Sequence, residues 1–144
     1  ADYVESLVRA VERHDRKAVV GVHGVILERP LTRYFSPHRK VFSFKHALDK
    51  DTRVNLLGTG TTAFHSSLMR PSLNQFPSTG MADVWMAVMA KSIQAPMVAV
   101  ARPQGWLKPI ISKGESDPTL YDEFRENDSA QTDALRAAGD WSIP

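Results

Sequence analysis

Asp83 is the one charged residue in Met81-Ala82-Asp83-Val84-Trp85-Met86-Ala87-Val88-Met89-Ala90, a segment that is otherwise apolar. An ionised carboxylate is rarely placed in so greasy a helix without a partner or a task. Two roles suit it. In the first turn of a helix it complements the dipole and satisfies free backbone amides. The same terminus also keeps a carboxylate ionised, as a general base opening onto a cleft must be.

Other constellations carry weaker chemistry. Gly58-Thr59-Gly60-Thr61-Thr62-Ala63 fits G-x-G-x-x-A after a strand, the form of a dinucleotide-binding turn. Such a turn must open a sizeable helix, and here β-branched Thr61 and Thr62 and an early Pro71 argue against one. The two glycines equally suit a bend, or a backbone that passes close to a ligand. His65-Ser66-Ser67 together with Asp83 supplies the residue types of a serine hydrolase, but no G-x-S-x-G elbow surrounds either serine. The five histidines show no metal-ligand spacing. Asp49-Lys50-Asp51 fits D-x-D, the pattern that holds Mg²⁺ or Mn²⁺ on a diphosphate, yet it lies in a tight polar connection that suits a solvated turn. Between positions 29 and 46, Arg29, Arg33, Arg39, Lys40 and Lys45 alternate with Tyr34, Phe35, Phe42 and Phe44. That mixture suits a solvated face or a surface for an anionic ligand or partner.

The elements that must position these residues follow from periodicity. Val4, Leu7, Val8 and Val11 fall at i, i+3, i+4 and i+7, which predicts an amphipathic helix over 4–13 capped by Asp2. The run 18–22 reads as a strand buried on both faces. Residues 26–48 are expected to leave the sheet and return, with a strand candidate at 41–44. A short strand over 54–57 should end at Gly58, and 61–65 should be extended. After a polar loop over 66–80 comes a helix over about 82–94, stopped before Pro96, and then a buried strand over 97–101. Residues 102–117 read as irregular. The tail over about 119–138 reads as helical, with a break near Asn127, a new N-cap at Asp128-Ser129 and a stop at Gly139. A helix feeding a buried strand predicts an α/β fold, a mixed sheet with flanking helices, in one domain over 1–144.

Composition excludes several classes. Eighteen Lys and Arg against 16 Asp and Glu leave a net charge of +2, so a strongly basic nucleic-acid binder is disfavoured. No cysteine is present, which removes disulfide scaffolds, thiolate nucleophiles and zinc–cysteine sites. No apolar run reaches the roughly 20 residues that span a bilayer. A soluble protein, cytoplasmic by default, is expected. The first residue is Ala1 rather than Met, and Asp2 already opens a helix, so the chain is expected to be a piece of something longer.

Several segments in order carry a resemblance: Val22-His23-Gly24-Val25-Ile26-Leu27, Leu57-Gly58-Thr59-Gly60-Thr61, Met81-Ala82-Asp83-Val84-Trp85, Ala101-Arg102-Pro103-Gln104-Gly105-Trp106-Leu107, Asp117-Pro118-Thr119-Leu120-Tyr121 and Asp128-Ser129-Ala130-Gln131-Thr132. Together they resemble the second, acceptor-side half of a bacterial GT-A-type glycosyltransferase of the family-two, surface-polysaccharide kind. The resemblance implies sugar transfer from a nucleotide-sugar donor to a saccharide or lipid-linked acceptor by inverting displacement. Asp83 would be the catalytic base, and Gly58, Thr59 and Gly60 would line the cleft beside the donor sugar. His65, Trp85 and Trp106 would contact sugar, and Arg102 would meet phosphate. A divalent Mg or Mn is implied in the intact parent, with ligands mostly outside this chain. In such proteins an acidic metal motif and a nucleotide-binding βαβ half precede a Tyr-Pro-x-Asp-Tyr segment, whose end Asp2-Tyr3 resembles. That half is missing here, so a fragment is implied. Peripheral membrane association, self-association and pairing with the missing half all fit this expectation, whereas nucleic acid does not.

Two alternatives stay open. A non-catalytic binding module would use segment 29–46 for an anionic glycan or protein partner and Asp83 only as a helix-terminus residue. A small nucleotide-binding domain would need a long helix directly after Ala63. An Asp83 that faces an open cleft beside Gly58 and Gly60 favours catalysis, whereas a capped or paired Asp83 favours the binding module.

Overall fold

The computed structural model describes residues 2–110 and 119–143, and its fold is mixed α/β. The first helix, α1 (Tyr3–Arg13), forms where the apolar spacing places it. Its buried face is Leu7, Ala10 and Val11, while Val4 and Val8 stay exposed. Asp2 occupies the N-cap position, but its side chain makes no cap hydrogen bond.

The main sheet has four strands in the order β4 (Thr52–Val54), β7 (Met97–Ala99), β1 (Val19–Gly21) and β6 (Thr62–Ala63). Strands β1 and β7 pair in parallel, with Val20 beside Val98, and the two outer strands pair antiparallel to them. Alternation along a strand sends successive side chains to opposite faces. Val20 and Val98 accordingly join Leu7, Ala10 and Val11 under α1, while Val19, Met97 and Ala99 join the other core. Both faces are covered, which is why these strands read as unbroken apolar runs.

The second core is built on α2 (Ala82–Ser92), whose Val84, Met86, Ala87, Met89 and Ala90 are buried. A second sheet packs there in the order β3 (Lys40–Phe42), β2 (Gly24–Ile26) and β5 (Leu56–Leu57), antiparallel throughout. The single strand expected over 54–57 is thus two strands in two sheets, with Asn55 between them. Its amide donates to the Val25 carbonyl at 2.9 Å. Its side chain accepts the Leu27 amide at 2.8 Å and donates to the Trp141 carbonyl at 2.8 Å. A polar side chain that satisfies backbone groups on both sides lets the chain leave one sheet and enter the next without stranded donors. The sheets approach closely at Gly24, where an added Cβ would lie 2.9 Å from Val54 Cγ1 and 3.0 Å from the Ala99 Cβ.

The helical tail divides as expected, into α3 (Leu120–Glu126) and α4 (Ser129–Ala137). Gly139, at φ +94°, follows α4. Of the stretch read as irregular, positions 111–117 lie outside the described residues. Between Ala63 and Ala82 the longest helical element is the 3₁₀ turn Leu73–Gln75, so the long helix that a nucleotide-binding domain on Gly58–Ala63 needs is missing. Among the described residues no helix is long and apolar enough to cross a membrane.

Asn55→Ala should strand the Leu27 amide and the Trp141 carbonyl in the core. Urea unfolding should report a loss of about 2–4 kcal/mol at unchanged slope. A midpoint equal to that of the native protein would remove Asn55 from its pivotal role.

Candidate functional site

A cleft of about 610 Å³ opens over the second sheet. Leu56 and Leu57 form part of its floor, the start of α2 supplies one wall with Asp83, and α3 and α4 close another with Tyr121 and Gln131. Asp83 lies half-buried in the first turn of α2. The Tyr34 hydroxyl donates to its Oδ2 at 2.5 Å. Burial first, and then the Asp83 charge, push the Tyr34 phenol far above its ordinary range, so Tyr34 remains a hydrogen-bond donor. Oδ1 has no hydrogen-bond partner among the described residues. The carboxylate is therefore held by a tyrosine rather than by the free amides of its own helix, with one oxygen left for chemistry.

Tyr34 reaches this position because its backbone is clasped by α4. The Tyr34 amide donates to Thr132 Oγ1 at 2.9 Å, and the Phe35 amide donates to Asp128 Oδ2 at 2.6 Å. Arg33 Nε donates to the same carboxylate oxygen at 3.0 Å. Asp128 sits at the N-cap position of α4 as expected, but it makes no side-chain cap hydrogen bond and serves the neighbouring segment instead.

Three of the basic residues of 29–46 lie over aromatic rings of the same segment. Arg39 stacks over Tyr34 and Phe35 at 5.1 and 4.5 Å from the ring centroids, Lys40 lies over Phe42 and Lys45 over Phe44. Arg39 also lines the cleft. His23 lies at the cleft beside Gly58. Burial, with the charges of Arg39 and Arg102, lowers its pKa despite Asp83, which favours the neutral ring.

Of the residues singled out in the sequence, Asp83, Gly58 and Thr59 line this one cleft. The Gly58 amide donates to the His23 carbonyl at 2.9 Å, and its own carbonyl accepts the Thr62 hydroxyl at 2.9 Å, which ties the loop beside Asp83 to the sheet. Gly60 is exposed on the following 3₁₀ turn, and an added Cβ there would meet nothing within 4 Å. Gly58 has φ −66° and Gly60 is not in the left-handed region, so neither is required by backbone conformation.

The remaining candidates lie elsewhere. His65 is engaged within its own turn, where Nδ1 accepts the Ser67 amide at 3.1 Å and lies 2.6 Å from Ser67 Oγ. Asp83 bonds Tyr34 instead, so no Ser-His-Asp relay forms. Trp85 packs against the α2 core and its Nε1 donates to Ser78 Oγ at 3.0 Å. Trp106 packs on Tyr3 over the α1 core, with ring centroids 5.8 Å apart. Arg102, expected at phosphate, is 5% exposed and spends its guanidinium on the carbonyls of His46, Val100, Phe42 and Ser43. A buried cation needs such partners, and these use the donors a phosphate would require.

Sequence reasoning placed Tyr34 and Arg39 in a candidate anionic-ligand segment rather than beside Asp83, and it gave His23 and Gln131 no site role. Tyr34 and Arg39 stand in the basic-aromatic segment, and His23 and Gln131 stand within the quoted motifs. Nothing along the chain said that they meet.

Asp51 of the D-x-D segment is a structural latch. Its carboxylate accepts Arg13 Nη2 at 2.8 Å and the Ala101 amide at 2.9 Å, and it lies 2.8 Å from His14 Nε2. Among the described residues no group of three or more His, Asp or Glu could hold a metal ion. No family model matches the chain, and no curated protein matches it.

Burial alone raises the Asp51 pKa, but the Ala101 amide, Arg13 and His14 outweigh it and the net shift is downward. A depressed carboxylate stabilises the fold above its unfolded value of about 3.9, and that contribution fades as pH falls through the folded value. The stability gap between the native protein and Asp51→Asn should therefore be widest above about pH 5 and should close in acid. Thermal unfolding across pH checks this, and a constant gap would remove Asp51 as the titrating group.

Proposed function

We propose that this chain is the acceptor-side part of a sugar-nucleotide-dependent glycosyltransferase, with Asp83 as the catalytic base. The observation that carries this is the half-buried carboxylate at the start of an apolar helix, facing a cleft lined by Gly58 and Thr59, with Oδ2 held by Tyr34 and Oδ1 open. The order of motifs resembling the second half of a GT-A-type family-two enzyme supports the same function, and the mixed sheet with flanking helices is compatible with it.

In this mechanism Asp83 Oδ1 accepts the proton of an acceptor hydroxyl as its oxygen forms a bond to the anomeric carbon of the donor sugar. The bond from that carbon to the diphosphate oxygen breaks on the opposite face, and the nucleoside diphosphate departs with the electron pair, so configuration inverts. Tyr34 holds Asp83 in place by donating to the other oxygen. The Gly58–Thr59 loop, tied to His23, shapes the cleft beside the reacting sugar. The resemblance implies a divalent metal on the donor diphosphate, with ligands mostly outside this chain.

A non-catalytic module that binds an anionic glycan is the second reading. The Tyr34–Asp83 hydrogen bond favours it, since a paired carboxylate also suits a purely structural role. The two separate on transfer chemistry. In a protein that also carries the donor-binding half, Asp83→Asn should lower kcat at least about 100-fold, with acceptor KM little changed. Transfer at the native rate would overturn the catalytic assignment and leave the binding module.

A further inference from the structure

Two groups in the cleft are unused by the chemistry assigned to Asp83. Gln131, on the first turn of α4, is 2% exposed and lines the cleft. Its carboxamide oxygen is shielded from water and has no hydrogen-bond partner. Burying an acceptor without a donor is unfavourable, and such a group in a native protein calls for a missing partner. Its neighbour Thr132 and the N-cap Asp128 both hold the 33–35 backbone, so the tie between the segments does not need Gln131. A carboxamide at the cleft lining can both donate to and accept from a ligand hydroxyl.

The second group is Arg39. Its Nη1 donates to the Tyr34 carbonyl at 3.3 Å, and its plane is carried on Tyr34 and Phe35. Among the described residues no carboxylate forms an ion pair with it, whereas Arg33 on the same segment is paired with Asp128. A guanidinium held flat on aromatic rings, with donors to spare, suits two-pronged recognition of an oxyanion. The same cleft carries aromatic surface: Phe35 meets Tyr121 edge-on at 5.4 Å, and Tyr121 is 53% exposed.

We infer that this end of the cleft binds a sugar ring carrying an oxyanion, a carboxylate or a phosphate ester. The Arg39 fork takes the oxyanion, the Gln131 carboxamide takes a ring hydroxyl, and the apolar face of the ring rests against Tyr121. The subsite presupposes the sugar-transfer function proposed above and names its acceptor as acidic.

The test titrates the full chain with methyl glucoside, glucuronic acid and glucose 6-phosphate at constant ionic strength, followed by NMR shifts of cleft residues. One of the two acidic sugars should bind at least about tenfold more tightly than the neutral one, the scale of a charge-assisted hydrogen bond. A preference for glucuronic acid identifies the oxyanion as a carboxylate, and a preference for glucose 6-phosphate identifies it as a phosphate. Arg39→Gln should bring the preferred acid down to the affinity of the neutral sugar. Gln131→Leu, which removes the unpaired carboxamide oxygen at similar volume, should weaken all three sugars about fivefold or more without lowering the unfolding temperature. Neutral and acidic sugars binding alike, a preference that survives Arg39→Gln, or native binding by Gln131→Leu would each overturn the subsite and leave sugar transfer standing. No binding of any sugar would overturn the subsite and count against sugar transfer as well.

Discussion

The cleft depends on one clasp, the hold of Asp128 and Thr132 on the backbone of residues 33–35. Asp128 and Arg33 are 95 positions apart in the chain, so no local preference brings them together. The Asp128 carboxylate takes the Arg33 guanidinium and the Phe35 amide, and Thr132 takes the Tyr34 amide. With the Tyr34 and Phe35 amides held, the Tyr34 hydroxyl reaches Asp83. A hydrogen bond to a charged group contributes roughly 1.5–3 kcal/mol, enough to hold an otherwise irregular segment on the start of a helix. Helix α4 gives up its own side-chain cap for this, a trade of about 1 kcal/mol of helix stability against placement of the site.

Other polar groups that resembled chemistry do structural work. Arg102 ties the end of the central strand region to the carbonyls that follow β3, and Asp51 ties α1 to the segment after β7. Both are charges drawn partly out of water, which fold stably only when every donor or acceptor finds a partner. The two arrangements brace the main sheet where the chain leaves β7, at Ala101 and Arg102, and Asp83 is the carboxylate that lines the large cleft.

The cleft combines a firm floor with a separately anchored wall. Its floor is antiparallel sheet backed by the apolar α2, and the Gly58 loop is bonded to His23 on that sheet. The opposite wall comes from the short helix α3 and the first turn of α4, joined to the rest through the clasp. A cleft built this way keeps Asp83 in register with the sheet, while the shape of the opposite wall follows from α3 and α4.

Periodicity and composition by themselves determined the mixed α/β class, the helices near 4–13, 82–94 and 119–138, and the strands buried on both faces, because these features rest on local patterns of apolar residues. Asp83 was legible for the same reason, as a lone charge in an apolar run. Which polar residues meet was decided only by the tertiary structure. The run at 54–57 looks like one strand, and a single buried asparagine divides it between two sheets. Arg102 looks like a phosphate ligand from its motif, and burial turns it toward four carbonyls. Tyr34 and Arg39 stand out only as part of a basic-aromatic segment and Gln131 not at all, since a hydrogen bond across the fold depends on backbone paths that local pattern does not encode. The chain shows in its sequence where a charge is out of place; the packing of α4 against residues 33–35 decides what that charge faces.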